Sequence, residues 1–461
     1  MKNSNTNKSA KRFTHWAAIT VLAASLVIMG LFTACPNAAG GGGTTPLTKY
    51  KVTLEPASDG TVTVNPALPS DGMVAENTEI TFTAFPHAGY KLQKWELNGQ
   101  TVNGTSPTYK LKVTQNAQVK VSFELLSGTP SVYLAGTIGT IGNEKPHYWK
   151  NGTKYELEID AGKKGAAYAL TLKDGTLYSA GEQKGASSRA RVWKEDTLYW
   201  GGSMQWLGAK AILTDGTSLY MAGKLNKGGK VEAAIANITD TATVRSAHLH
   251  TSAAGEKGSE AYGLCASPSA FYAVGTIANN NSSQNKAALW TISKTLDGTV
   301  TETKLDTGSS VKPKAVCLLD GAVYAAGKKA ADKVVVWKVT GTGAGVTPAE
   351  LGTGSFSEAN AACTKDGLVF IGGKNGSSKP CIWKGTDGSF IATELSTKAG
   401  TVNALYVFGT DIYAAGYAIE GGIQKAAYWK FTSGITPDSD AVETVIPDNN
   451  AEALGIVVTM E

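Results

Sequence analysis

Past residue 47 the chain is written in short alternating runs. In residues 48–125 the hydrophobic positions recur at every second residue, as in Ile80, Phe82 and Ala84 and again in Val119, Val121 and Phe123. That is the period of a strand with one buried face. Gly60, Gly72, Gly89, Gly99 and Gly104 fall between the runs and mark turns. A small all-β module is therefore expected over 48–126.

From residue 131 the alternation becomes repetitive, with a period near 40–50 residues, the range of propellers and solenoids. An aromatic residue, two further residues and Gly recur seven times, beginning at Tyr133, Tyr178, Tyr220, Tyr272, Tyr324, Phe370 and Tyr413. After a polar loop comes a strand that ends on Trp149, Trp193, Trp290, Trp337, Trp383 or Trp429; the third copy reads Ala-Ala-Ile-Ala-Asn at 233–237 and has lost its Trp. A short third run follows, as at 155–159 or 301–305. A small-residue strand then leads into a turn, often Asp-Gly, as at Asp174-Gly175 and Asp366-Gly367.

Four strands per copy, seven times, predict a seven-bladed β-propeller over 131–461. Small residues suit a strand beside the crowded axis. Asp-Gly supplies the positive φ of a tight hairpin. Trp and Tyr, each burying ~150–250 Å², fill the wedge between blades. The region opens at Ser131 on a second strand and finishes at 452–459 on a first strand with no copy of its own. The C-terminal strand is thus expected to pair beside Val132 and close the first blade, which removes a free sheet edge. The copies resemble Kelch-like propellers in carrying Gly after one hydrophobic strand and Trp in the next. Only Gly372-Gly373 shows the Kelch double glycine, and the WD dipeptide and Asp-box are absent, so the resemblance implies the architecture and not a named propeller family.

Composition is globular, with 42% hydrophobic and 18% charged residues. The formal charge of +5 comes mostly from the first 34 residues, where Lys2, Lys8, Lys11 and Arg12 stand without any acid. The rest carries 39 of the 43 Lys and Arg against 38 Asp and Glu, which gives no global case for a nucleic-acid partner.

The basic segment precedes an uncharged apolar stretch at 17–34 that ends in Phe32-Thr33-Ala34-Cys35, the layout of an export signal. This end resembles the lipobox of bacterial lipoproteins, with Phe32 in place of the usual Leu. The resemblance implies cleavage after residue 34, acyl chains (palmitate among them) on Cys35, and attachment to the membrane through that lipid, with an outer-membrane or cell-surface location. An uncleaved signal anchor is the other reading. Residues 35–47 are Gly-rich and form a flexible tether.

The run Gly89-Tyr90-Lys91-Leu92-Gln93-Lys94-Trp95 with Asn98-Gly99, together with Gly60-Thr61-Val62 and the close at Val119–Phe123, resembles the divergent internalin-B-like repeat of bacterial surface proteins. The resemblance implies a β-grasp-like spacer without catalytic residues, in which Trp95 and Tyr90 belong to the core.

Candidate binding residues fall into two sets. A basic residue stands four positions before each strand Trp: Lys145, Arg189, Lys286, Lys333, Lys379 and Lys425, with Glu232 in the third copy. As a set these predict either a cationic rim that attracts an anionic ligand or solubilising strand ends. Tyr199, Trp200 and Trp206 depart from the repeat and either stack on a sugar or peptide or patch a thin blade. Cys265, Cys317 and Cys363 each lie seven residues before the strand aromatic and read as equivalent small buried thiols. His248 and His250 share a strand face, but no third ligand is indicated and no metal is expected. Carboxylates show no repeated or paired pattern of glycoside hydrolysis, and no phosphate loop or nucleophile elbow is present. No catalytic residue and no cofactor are therefore expected. The readings of function are, first, a lipid-anchored envelope protein presenting a propeller to a protein or glycan; second, a propeller-based glycan lyase or hydrolase; third, an envelope assembly scaffold.

Overall fold

Alternating sequence with frequent turn residues produces strands throughout. The computed structural model describes residues 47–461 apart from 203–204, 282–283, 309–310, 330–332, 342–344, 353–356, 387 and 437–440. The expected signal at 1–34, Cys35 and the tether up to residue 46 lie outside the described residues. Lys49–Glu461 form one compact unit, and no α-helix occurs among the described residues.

The N-terminal module has two sheets. Lys49–Leu54 pairs in parallel with Ala117–Leu125, which pairs in turn with Tyr90–Leu97. Glu79–Pro86 lies between Gly60–Asn65 and Thr108–Lys112. Ile80, Phe82, Val119 and Val121 close on Trp95, which is fully buried and donates its indole N–H to the Ser106 carbonyl at 2.8 Å. Tyr90 differs from expectation. It is only half-buried and lies under the Lys365 ammonium, 5.8 Å from its ring centre. The turn at its start is a docking point rather than core. The Gly409 N–H donates to the Ala88 carbonyl at 2.8 Å, and a Cβ on Gly89, whose φ is +86°, would stand 2.3 Å from the Gly409 nitrogen.

The described residues of 130–461 form seven four-stranded antiparallel units. Unit one takes the C-terminal strand Ala451–Met460 as its first strand, followed by Pro130–Ile138, Lys145–Lys150 and Thr153–Glu156. Val458 sits opposite Val132 in that pairing. The first strands of units two to seven are Lys164–Lys173, Trp206–Thr214, Glu256–Ala266, Lys312–Leu319, Glu358–Lys365 and Gly400–Phe408. Each leads into three more strands by hairpins. Units three and four are joined into one larger sheet by a single parallel bridge, Val231 to Gly258. Asp174-Gly175, Asp320-Gly321 and Asp366-Gly367 connect first to second strands with positive φ at both residues, the geometry of a type I′ hairpin.

The units hold together through apolar clusters that each span two neighbours. Trp193 of unit two packs with Tyr133 of unit one, Trp290 of unit four with Tyr220 of unit three, Trp383 of unit six with Tyr324 of unit five, and Trp429 of unit seven with Phe370 of unit six. Trp149 of unit one packs with Tyr413 of unit seven. The first strand Ala451–Met460 lies against both Lys164–Lys173 of unit two and Gly400–Phe408 of unit seven.

Candidate functional site

Every first strand carries a β-bulge at the same place. The register with the second strand slips by one residue between Ala167 and Ala169, Ala209 and Ala211, Ala261 and Gly263, Pro313 and Ala315, Ala359 and Ala361, Val402 and Ala404, and Ala453 and Gly455. The residues left over are Tyr168, Lys210, Tyr262, Lys314, Asn360, Asn403 and Leu454. A bulge re-aims its extra side chain, and small flanking residues leave room for it. The recurrent glycine of the second strand lies opposite, and its role is steric. A Cβ on Gly136, Gly373 or Gly416 would stand 1.8 Å from a first-strand carbonyl oxygen, and on Gly327, the loosest of the seven, 2.2 Å.

Six of the seven bulge residues enter a polar belt. The Tyr168 hydroxyl donates to Glu182 at 2.6 Å. The Lys210 ammonium stands 3.6 Å from the centre of the Tyr168 ring, 3.3 Å from Glu182 and 3.9 Å from Glu260. Lys224 pairs with Glu260 at 3.2 Å. Lys312 covers the Tyr262 ring at 4.4 Å. Lys314 donates to the Asn360 side-chain oxygen at 2.6 Å and stands 3.7 Å from Glu358. Asn360 donates to the Val402 carbonyl, and Asn403 to Glu452 at 2.9 Å. The belt thus passes from unit two through unit seven to the C-terminal strand.

Burial sets its charge states. It lowers the pKa of Lys210, Lys312 and Lys314 and raises that of Glu452. Burial also opposes ionisation of Glu182, but Lys210 and the Tyr168 hydroxyl outweigh it and hold its carboxyl below the usual range. Burial, reinforced by the nearby glutamates, pushes the Tyr168 and Tyr262 hydroxyls up. Chemically the belt offers ammonium and amide donors, carboxylate acceptors and phenol rings. The expectation of scattered carboxylates changes here. Glu182 and Glu260 meet at Lys210, and Glu358 and Glu452 are linked through Lys314, Asn360 and Asn403; each of the four stands either two residues before a bulge or directly after the recurrent glycine.

The basic residues expected to form a rim begin, or lie close to the start of, the third strands, and most are neutralised. Lys286 pairs with Glu256 at 3.2 Å, Lys333 with Glu350 at 2.9 Å, Lys379 with Glu394 at 2.7 Å and Lys425 with Glu420 at 3.2 Å. Lys145 donates to the Lys163 carbonyl, and Arg189 helps hold the Asp160 carboxyl down after Gln183 and Arg191. These contacts favour the strand-end reading.

The three unusual aromatics lie together in the cluster between units two and three. Trp206 is buried there with Tyr178 and Ala236, and Trp200 meets it edge-on at 6.2 Å between ring centres. The Tyr199 hydroxyl donates to the Thr239 carbonyl at 2.7 Å. Ala236 occupies the register position that Trp holds in other units, so Trp206 fills the space left by the missing Trp. Cys265, Cys317 and Cys363 are free thiols whose pKa burial raises.

His248 contacts Glu232 at 2.7 Å, and His250 bridges Glu256 at 2.8 Å and Glu302 at 2.7 Å. Among the described residues no group of His, Cys, Asp and Glu is arranged to hold a metal ion. Burial alone would lower the His250 pKa, but the bonds to Glu302 and Glu256 raise it above 6.5. Burial likewise opposes ionisation of Glu256, yet the Ala253 N–H, His250 and Lys286 bring it to about 2 from an ordinary 4.5. The histidine contribution is complete below 6.5 and is lost as pH rises through the raised value. The glutamate contribution is complete above 4.5 and is lost as pH falls toward 2. The clamp's own contribution is therefore expected to be complete between about pH 4.5 and 6.5, and the stability difference between wild type and His250→Gln should shrink as pH rises above that window. A difference that stays constant as pH rises would remove this clamp from the account.

No curated protein matches the sequence. Among solved structures the chain is similar to a candidate 6-phosphogluconolactonase from Bacteroides fragilis, at 12% identity and TM-score 0.46, covering 72% of this chain and 98% of that one. It is also similar to the α-L-arabinofuranosidase Arb93A of Fusarium graminearum, at 11% identity and TM-score 0.42, covering 66% and 98%. A third similarity, to Trypanosoma rangeli sialidase, has 9% identity and TM-score 0.38 and covers 67% of this chain but 56% of that one. Residues 50–127, the module that docks on Gly409, match the family described as the divergent InlB B-repeat domain.

Proposed function

We propose that this is a glycan-binding protein of the bacterial cell envelope, lipid-anchored at Cys35, in which residues 130–461 are a closed seven-bladed propeller and the polar belt is the ligand site. The cyclic order of contacts supports closure, since apolar clusters link each unit to the next and link unit seven back to unit one. The convergence of the bulge residues carries the ligand reading. Alternating ammonium, carboxylate and amide groups beside phenol rings match a polyhydroxylated ligand, which needs donors and acceptors in plane and an apolar wall beside its ring. The InlB-like module binds the opposite end of the units, at the turns joining first to second strands, and leaves the belt end clear of the spacer.

A second reading, a glycan-active enzyme, draws on Glu452, whose carboxyl burial keeps toward its protonated form, as a general acid requires. The ion-paired states of Glu182 and Glu260 favour binding over turnover.

The test uses the detergent-solubilised full-length protein on a glycan array, with Tyr262→Ala and Asn403→Ala beside it. Retention of defined glycans by the wild type and its loss in both variants are expected. Release of shortened or unsaturated sugars would favour the enzyme. Capture of no glycan at all would end the reading. In cells, alkyne-palmitate label should follow the wild type and vanish in Cys35→Ser; equal label in both would refute the anchor.

A further inference from the structure

The belt is not evenly charged. Across units three to five it carries Lys210, Lys224, Lys312 and Lys314. Three of these meet carboxylates: Lys210 meets Glu182 at 3.3 Å, Lys224 meets Glu260 at 3.2 Å and Lys314 meets Glu358 at 3.7 Å. Lys312 has no ion-pair partner among the described residues. Its ammonium rests on the Tyr262 ring at 4.4 Å. After burial, the next influences on its charge are repulsion from Lys314, attraction from Glu260 and repulsion from Lys224. Lys312 is exposed, and a cation held beside two others gains when a counter-charge arrives.

Beside this cation is a cavity of about 400 Å³ lined by Lys224, Lys257, Ser259, Glu260, Tyr262 and Thr276. That volume suits a small-molecule or sugar-sized occupant. The single parallel bridge from Val231 to Gly258 sits in its wall. A Cβ on Gly258 would come within 2.5 Å of the Val231 carbonyl, so the wall is closely packed backbone. Lys224, Glu260 and Tyr262 therefore belong at once to the belt and to an open cavity.

We propose that this cavity selects an acidic sugar, its carboxylate taken between the Lys224 and Lys312 ammoniums, its hydroxyls by Glu260 and Ser259, and its ring walled by Tyr262. The proposal rests on the glycan reading and names the chemical class that reading leaves open. A neutral sugar would fill the cavity without compensating Lys312.

The experiment prints each uronic-acid oligosaccharide beside its methyl ester, which has the same skeleton without the charge, and measures binding of the full-length protein. The acid form is expected to bind at least about tenfold more tightly, and the preference to shrink as NaCl is raised, because added salt screens the partly exposed lysines. Lys312→Gln should bring the acid form down to the level of its ester and leave the ester unchanged, while Lys312→Arg keeps the preference. Thermal melting of each variant separates loss of charge from loss of fold, and Lys224→Gln gives an independent reading if Lys312→Gln melts early. Equal binding of acid and ester by the wild type overturns the acidic-sugar assignment and leaves the glycan reading standing. Binding of neither form, on an array where no other glycan is retained, overturns both.

Discussion

Deletion of residues 451–461 is expected to abolish cooperative unfolding of the 130–461 region rather than shift its midpoint. The strand Ala451–Met460 supplies the first strand of unit one and pairs along the whole of Pro130–Ile138. Its Ile456, Val457 and Val458 are buried and enter two inter-unit clusters, one shared with unit seven and one with unit two. At about 1.5–3 kcal/mol for each large apolar side chain buried, these three alone contribute about 5–9 kcal/mol, comparable with the whole ~5–15 kcal/mol stability of a typical domain. The loss does not end there. Pro130–Ile138 would become an open edge with unpaired backbone groups, a template for association with other chains. Trp149 would lose Ala453, Ile456 and Val458 from its cluster. The truncated protein should elute as aggregate or melt in calorimetry without a distinct transition. A monomer that melts at the full-length midpoint would show that the chain does not depend on this strand, and the closed propeller would go with it.

The repeat itself was open to reading in the sequence because its signals are structural requirements met in nearly every copy. The aromatic-x-x-Gly element, the Trp and the Asp-Gly turns recur for reasons of packing and backbone conformation, and the pairing of Val458 with Val132 follows from where the copies begin and end. The site was harder, for a reason the bulges make plain. In five of the seven copies the residue that the bulge turns out of the ladder sits between two small residues, as in Ala167-Tyr168-Ala169 or Ala359-Asn360-Ala361, with Pro313 and Val402 on one side in the other two, and this frame is legible once the copies are aligned. What it holds differs from copy to copy, and a search for recurrent residues passes over it. Such a search finds instead the lysines near the third-strand starts, four of which neutralise nearby acids. The carboxylates Glu182 and Glu260 stand at different places in the repeat and meet only across units, at Lys210, and the place that Glu260 shares with Glu358 and Glu452, two residues before a bulge, shows only when the copies are aligned on the bulge. Trp206 misleads in the opposite direction. It breaks the pattern because Ala236 does, and its cause is packing.

Gly373→Ala should cost stability and loosen the site together. The added methyl would stand 1.8 Å from the Glu358 carbonyl oxygen and 3.0 Å from the Ala359 Cα. Both obstacles are backbone, so no side chain can swing aside, and the two strands must part or the bulge must flatten. Overpacking of this kind costs about 1–3 kcal/mol and occasionally more. With rigid atoms on both sides the upper end, about 3 kcal/mol, is expected, enough to lower the melting midpoint by several degrees. The same movement displaces Asn360, the residue that the bulge presents, which accepts from Lys314 at 2.6 Å and donates to the Val402 carbonyl at 3.0 Å. Ligand binding should therefore weaken even at temperatures where the variant is fully folded, separating positioning from simple loss of fold. Gly308→Ala is the matched control, since no atom of the described residues lies within 4 Å of its added Cβ, and it should leave melting and binding at wild-type values. If Gly373→Ala melts with Gly308→Ala, the recurrent glycine is not required by the close approach of the bulge. If it melts early but binds normally once folded, the bulge supports the fold without placing Asn360 for a ligand.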